Sequence, residues 1–123
     1  MRKIFGPLST STRNGFTEGQ FINSSATGAI TLDNSSANVF VLTLTGNITI
    51  TLTNRVPVGT VYSALLYLKN TSSRTVTYPA SFKWPAGAAP ATSSGATAID
   101  VVSFVTIDGG VTYQAAPIGF NFS

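Results

Sequence analysis

Residues 38–53 read NVFVLTLTGNITITLT, and this stretch decides the fold class. Phe40, Leu42 and Leu44 alternate with Val41, Thr43 and Thr45, and Ile48, Ile50 and Leu52 then alternate with Asn47, Thr49, Thr51 and Thr53. A period of two is the period of a strand, whose successive side chains point to opposite faces. Threonine suits the solvent face and the aliphatic residues the core face, and Gly46-Asn47 between the two runs predicts a hairpin turn. Upstream, Ala29 to Leu32 forms a shorter strand of the same kind. Downstream, Thr60 to Leu68 is apolar on both faces, with Tyr62, Ala64, Leu66 and Leu68 alternating with Val61, Leu65 and Tyr67, the pattern of a central strand.

The remaining chain extends the pattern. Arg74 to Tyr78 alternates and is stopped by Pro79, and Phe82 to Pro90 reads as a proline-set loop. Ala98 to Ile107 puts Ile99, Val101, Ser103, Val105 and Ile107 on one face and Val102 and Phe104 on the other. Asp108-Gly109-Gly110 then turns the chain into Val111 to Ala115, a second hairpin. Helical spacing is absent. Short strands separated by turn signals predict an all-β protein, an antiparallel β-sandwich or jelly roll of about seven to nine strands with an extended N-terminal arm. The division expected is an arm over 1–27 and a β-sandwich domain over 28–123.

Composition narrows the chemistry. The 123 residues are 43% hydrophobic and only 9% charged, with no histidine and no cysteine. That excludes Ser-His and Cys-His catalysis, N/S zinc sites, haem ligation and disulfides. The four acids, Glu18, Asp33, Asp100 and Asp108, are far apart in sequence, so no metal site, cofactor or paired-carboxylate chemistry is expected and the chain is read as not an enzyme. The net charge of +3 rests on seven dispersed basic residues, Arg2, Lys3, Arg13, Arg55, Lys69, Arg74 and Lys83, which make no phosphate-tracking stripe; no nucleic-acid partner is expected. Ile4 to Thr12 carries Gly6, Pro7 and hydroxyl residues in place of an apolar run, so no signal peptide is read, and no stretch is long enough for a membrane-spanning helix.

Individual residues have competing readings. The arm keeps Ile4, Phe5, Leu8 and Phe16 in a polar setting, which marks them as anchors for a partner surface. Trp84, with Phe82 and Tyr78, forms either a platform for a host glycan or a plug over one end of the sheet, and the plug is the stronger reading. Asp108 before two glycines reads as turn chemistry ahead of metal or sugar binding. Asp100, inside an apolar strand, is expected to face solvent or a partner such as Arg74 or Lys83.

Taken together, Gly28-Ala29-Ile30-Thr31-Leu32-Asp33, Gly46-Asn47-Ile48-Thr49-Ile50, Arg74-Thr75-Val76-Thr77-Tyr78-Pro79, Phe82-Lys83-Trp84-Pro85-Ala86-Gly87 and Ala89-Pro90 resemble a β-domain of tailed-bacteriophage structural proteins. Ile99-Asp100-Val101-Val102-Ser103-Phe104, Asp108-Gly109-Gly110 and Gly119-Phe120-Asn121-Phe122 extend the resemblance to the C-terminus. Such domains occur in tail-fibre, baseplate-associated and other virion surface proteins and commonly act as homotrimers. The resemblance transfers no catalytic residue. It implies a virion structural protein, a homotrimeric exterior appendage joined to other virion proteins through the arm. The short leader ahead of the domain favours a small tail-fibre or baseplate-associated protein, with a capsid decoration (cement) protein or a host carbohydrate-binding module as alternatives.

Overall fold

Residues 39–53 form one unbroken strand, so Gly46-Asn47 is not a hairpin turn. The computed structural model describes residues 19–123 except 55, 71, 94 and 96; the arm anchors Ile4, Phe5, Leu8 and Phe16 lie outside the described residues. In order, the strands are β1 (Gln20–Asp33), β2 (Val39–Thr53), β3 (Tyr62–Asn70), β4 (Val76–Thr77), β5 (Phe82–Lys83), β6 (Ile99–Thr106) and β7 (Tyr113–Phe122), with a 3-10 turn at Pro85–Gly87. They make a single seven-stranded sheet in the order β1-β2-β3-β6-β7-β5, with β4 also paired to β2.

The all-β expectation holds, whereas the antiparallel pairing does not. β1 pairs parallel with β2, and β2 pairs parallel with both β3 and β4; β3-β6 and β6-β7 are antiparallel, and β5-β7 is parallel. The sheet is therefore mixed and curled, in place of the expected antiparallel sandwich or jelly roll. Alternation misses this because it fixes which face a side chain takes, and a parallel neighbour leaves the same period as an antiparallel one.

Chain length explains the curl. Gln20 pairs with Val39 and Asp33 with Thr53, so β2 starts beside the start of β1. Drawn straight, the 14 residues of β1 would run about 46 Å, while the 34–38 connection reaches at most about 22 Å. The strand must bend back on itself. It does so at Ala26–Gly28, where the register with β2 slips on both sides of Ala26 and Gly28 takes φ +70°. Later strands bend at the same corner with more chain in it. One residue, Thr27, lies between the paired Ala26 and Gly28, three (45–47) between Leu44 and Ile48, and five (71–75) between Asn70 and Val76.

This third corner is tied down by side chains. Asn70, 1% exposed, donates from Nδ2 to the Ser93 carbonyl at 2.7 Å, and Asn47 Oδ1 accepts the Thr75 amide at 2.9 Å. Arg74 donates to the Leu44 carbonyl at 3.1 Å.

The core fills the inside of the curl. Ile30 stands beside Ile50 on neighbouring strands, and Phe40, Leu66 and Val102 form one cross-strand row, all buried. Each such side chain contributes about 1.5–3 kcal/mol on burial. In β6 the inward residues are Asp100, Val102, Phe104 and Thr106, which matches the face division read from the sequence for Val102 and Phe104.

Candidate functional site

The outside of the curled sheet divides at the corner. Beyond it, the outward positions are small or hydroxylated: Ala29, Thr31, Thr49, Thr51 and Thr53 are exposed, and the Thr31 and Thr51 hydroxyls lie 3.3 Å apart. Before it, the outward face carries apolar residues interrupted by Gln20, Thr43, Lys69 and Ser103. Ile22, Val41, Tyr67 and Val101 form one cross-strand row, and Val39 and Leu65 flank it in the next. Ile22 is 59% exposed, and Phe122, beside Ile99 on β7, is 50% exposed. Gln20, Ile22, Val39, Val41, Tyr67, Lys69 and Ile99 line a shallow depression of about 490 Å³ on this face.

The outer face thus carries a partly exposed apolar row on one half and threonine on the other. Val39, Val41, Leu65 and Tyr67 were not singled out as functional by the sequence reading. Their signal was present in the doubly apolar runs 39–42 and 64–68, set against the strict threonine alternation of 49–53.

The aromatic residues are drawn inward. Phe82 is 4% exposed and sits at the centre of a cluster, with ring centroids 6.0 Å from Tyr78, 5.9 Å from Trp84, 4.9 Å from Phe104 and 5.7 Å from Tyr113. Trp84 meets Tyr78 edge-on at 4.8 Å. Burial pushes the Tyr78 phenol well above its ordinary value. Phe82 is enclosed by these rings, and Tyr78 and Trp84 are half-buried against the core.

The acids among the described residues are used structurally. Asp108 Oδ1 accepts the amides of Val111 at 3.1 Å and Thr112 at 3.0 Å, and Oδ2 accepts the Thr112 hydroxyl at 2.7 Å. The Thr112 amide and hydroxyl hold this carboxyl down at about 2. Asp33 is likewise lowered, first by Asn54 and then by Ser35, both of which donate to Oδ1.

Asp100 does not face solvent or a lysine or arginine. It is 1% exposed, and its carboxylate accepts the amides of Ser93 at 2.7 Å and Asn121 at 2.9 Å. The β6-β7 register slips on both sides of Val101, which frees the Asn121 amide from the ladder, and Asp100 takes it. Among the described residues no group of three or more acids converges on a point that could hold a metal ion.

Comparison of the chain with family models, with curated proteins and with solved structures returns no match.

Proposed function

We propose that this chain is a non-enzymatic structural protein of a bacteriophage virion, a homotrimeric exterior appendage of the short tail-fibre or baseplate-associated kind. The pattern of residues from Gly28 to Phe122 supports the phage reading. The assembly reading is carried by one observation, the apolar outer row Ile22-Val41-Tyr67 set beside a threonine face. A chain with so few charges has little else to keep that row from water, and a closed ring of copies covers it without leaving an open, self-propagating end. The segment bearing Ile4, Phe5, Leu8 and Phe16 serves as the attachment to a neighbouring virion protein.

Light scattering on the full chain tests the assembly. The wild type is expected at three times the 12.8 kDa chain mass. Val41→Lys with Tyr67→Lys is expected to give the single-chain mass with an unchanged circular dichroism spectrum, because both side chains point away from the core. A wild type that stays at 12.8 kDa at all concentrations overturns the trimer. Deleting residues 2–19 tests the attachment: the variant is expected to fold and assemble but to be missing from particles.

A further inference from the structure

Besides the row Ile22-Val41-Tyr67, the surface carries a second exposed apolar cluster, at the end of the sheet. Pairing of Tyr62 with Thr106 sets Val61, the residue before β3, beside Ile107, the residue after β6, and both are exposed. Val58, 85% exposed, and the exposed Val111 complete the cluster. Their two loops, 54–61 and 107–112, adjoin: a Cβ on Gly109 would lie 3.0 Å from a Val58 methyl.

Both loops are held by their own hydrogen bonds. The Pro57 carbonyl accepts the Thr60 hydroxyl at 2.6 Å and the Thr60 amide at 3.3 Å, and Asp108 accepts the amides of Val111 and Thr112. The four aliphatic side chains therefore project from a preformed tip, which leaves little ordering to do on docking.

A closed ring of three needs two different patches on each chain, because its contacts are heterologous: one patch of each copy meets the other patch of the next. The two patches sit on adjacent sides of the subunit, since opposite sides would build an open filament. Tip and depression meet both conditions. The depression lies on the outer face around Tyr67, Lys69 and Ile99, whereas the tip lies at the end of the same strands. Ile99 and Ile107 stand about 26 Å apart along β6, with Ser63 and Ser103 between the two patches.

We infer that the tip of one copy, Val58, Val61, Ile107 and Val111, packs into the Ile22-Val41-Tyr67 depression of the next copy. The contact rests on the ring of copies proposed above and specifies how that ring closes. Shape and charge both select a second copy as the occupant. The tip is projecting and aliphatic, and the depression that receives it is lined by Ile22, Val39, Val41 and Ile99. The depression's one charged lining residue is the exposed Lys69, and the one charged group among the described residues of the two loops is Asp108. Opposite charges at the rim of a contact set its orientation more than its strength.

The test is light scattering on the full chain, comparing a tip variant, Val58→Lys with Ile107→Lys, and the depression variant, Val41→Lys with Tyr67→Lys. Each variant alone is expected to fall from three times the 12.8 kDa chain mass to the chain mass itself. An equimolar mixture of the two is expected at twice the chain mass, because it retains one intact tip and one intact depression and cannot close a ring. Recovery in the mixture also shows that both variants are folded, and Ile22→Lys replaces the depression variant should that one fail to fold. A tip variant that keeps the wild-type mass overturns the contact and leaves the ring standing, as does a mixture of folded variants that stays at the single-chain mass. A wild type at the single-chain mass overturns the ring and the contact together.

Discussion

Gly46 of β2 lies against Thr27 of β1 so closely that a Cβ at Gly46 would overlap the Thr27 hydroxyl oxygen. The glycine is thus the condition for nesting one bent strand inside the next at the corner. Gly46→Val is expected to destabilise the fold by about 1–3 kcal/mol through overpacking. Urea unfolding of the single and double variants with Thr27→Ala should show a favourable coupling of about 0.5–3 kcal/mol, since removing the hydroxyl makes room. Independent, additive effects would mean that the two residues do not meet.

Gly46 also shows where the sequence was legible and where it was not. The alternation on either side of it correctly marks the inward Phe40, Leu42, Leu44, Ile48 and Ile50, because burial on one face imposes a period of two. A glycine followed by asparagine suits a turn, but it equally suits a crowded corner, and only the neighbouring strand distinguishes them. The same limit hid the parallel partners of β2, and the inward turn of Asp100, whose acceptors are needed by backbone amides distant in sequence. Local features fared better: Asp108-Gly109-Gly110 is the turn expected, since all its partners lie within four residues.

Asp100 bridges the Ser93 loop and the β7 irregularity from within the core. Asp100→Ala leaves two backbone amides without acceptors and is expected to cost about 3 kcal/mol, since hydrogen bonds to a charged group contribute about 1.5–3 kcal/mol each. Asp100→Asn keeps one acceptor oxygen and should lose about half as much. Thermal unfolding distinguishes the two, and hydrogen exchange should show the Ser93 and Asn121 amides losing protection first.

Asp108 predicts a local acid sensitivity. Its folded value of about 2 lies below the ordinary aspartate value of 3.8, so its contribution is present above the ordinary value and is lost as pH falls from about 4 towards 2. Amide exchange at Val111 and Thr112 should accelerate across that window in the wild type. In Asp108→Ala the same amides should exchange quickly at every pH.

The aromatic cluster predicts an order of losses. Phe82→Ala empties the centre of the cluster and is expected to cost about 3–5 kcal/mol. Trp84→Ala, from a half-buried position, should cost about 2 kcal/mol, with the fold retained. Denaturant midpoints with constant slope check this order. Unchanged stability in Trp84→Ala would favour the exposed-platform reading of Trp84.

Tyr62 donates to the Ala37 carbonyl at 2.7 Å, and burial pushes its phenol up to about 12. An ultraviolet titration should therefore find this tyrosine still protonated after an ordinary tyrosine, near 10, has ionised.

The corner that lengthens from one to three to five residues lets the molecule vary its outline cheaply. Residues added at 72–73, ahead of the tied Arg74 and Thr75, are expected to leave the pairing of β3 and β4 with β2 in place, and each doubling of such a loop costs only about 0.6 kcal/mol. Descendants of this chain could thus acquire new protrusions there while inheriting the winding beneath them intact.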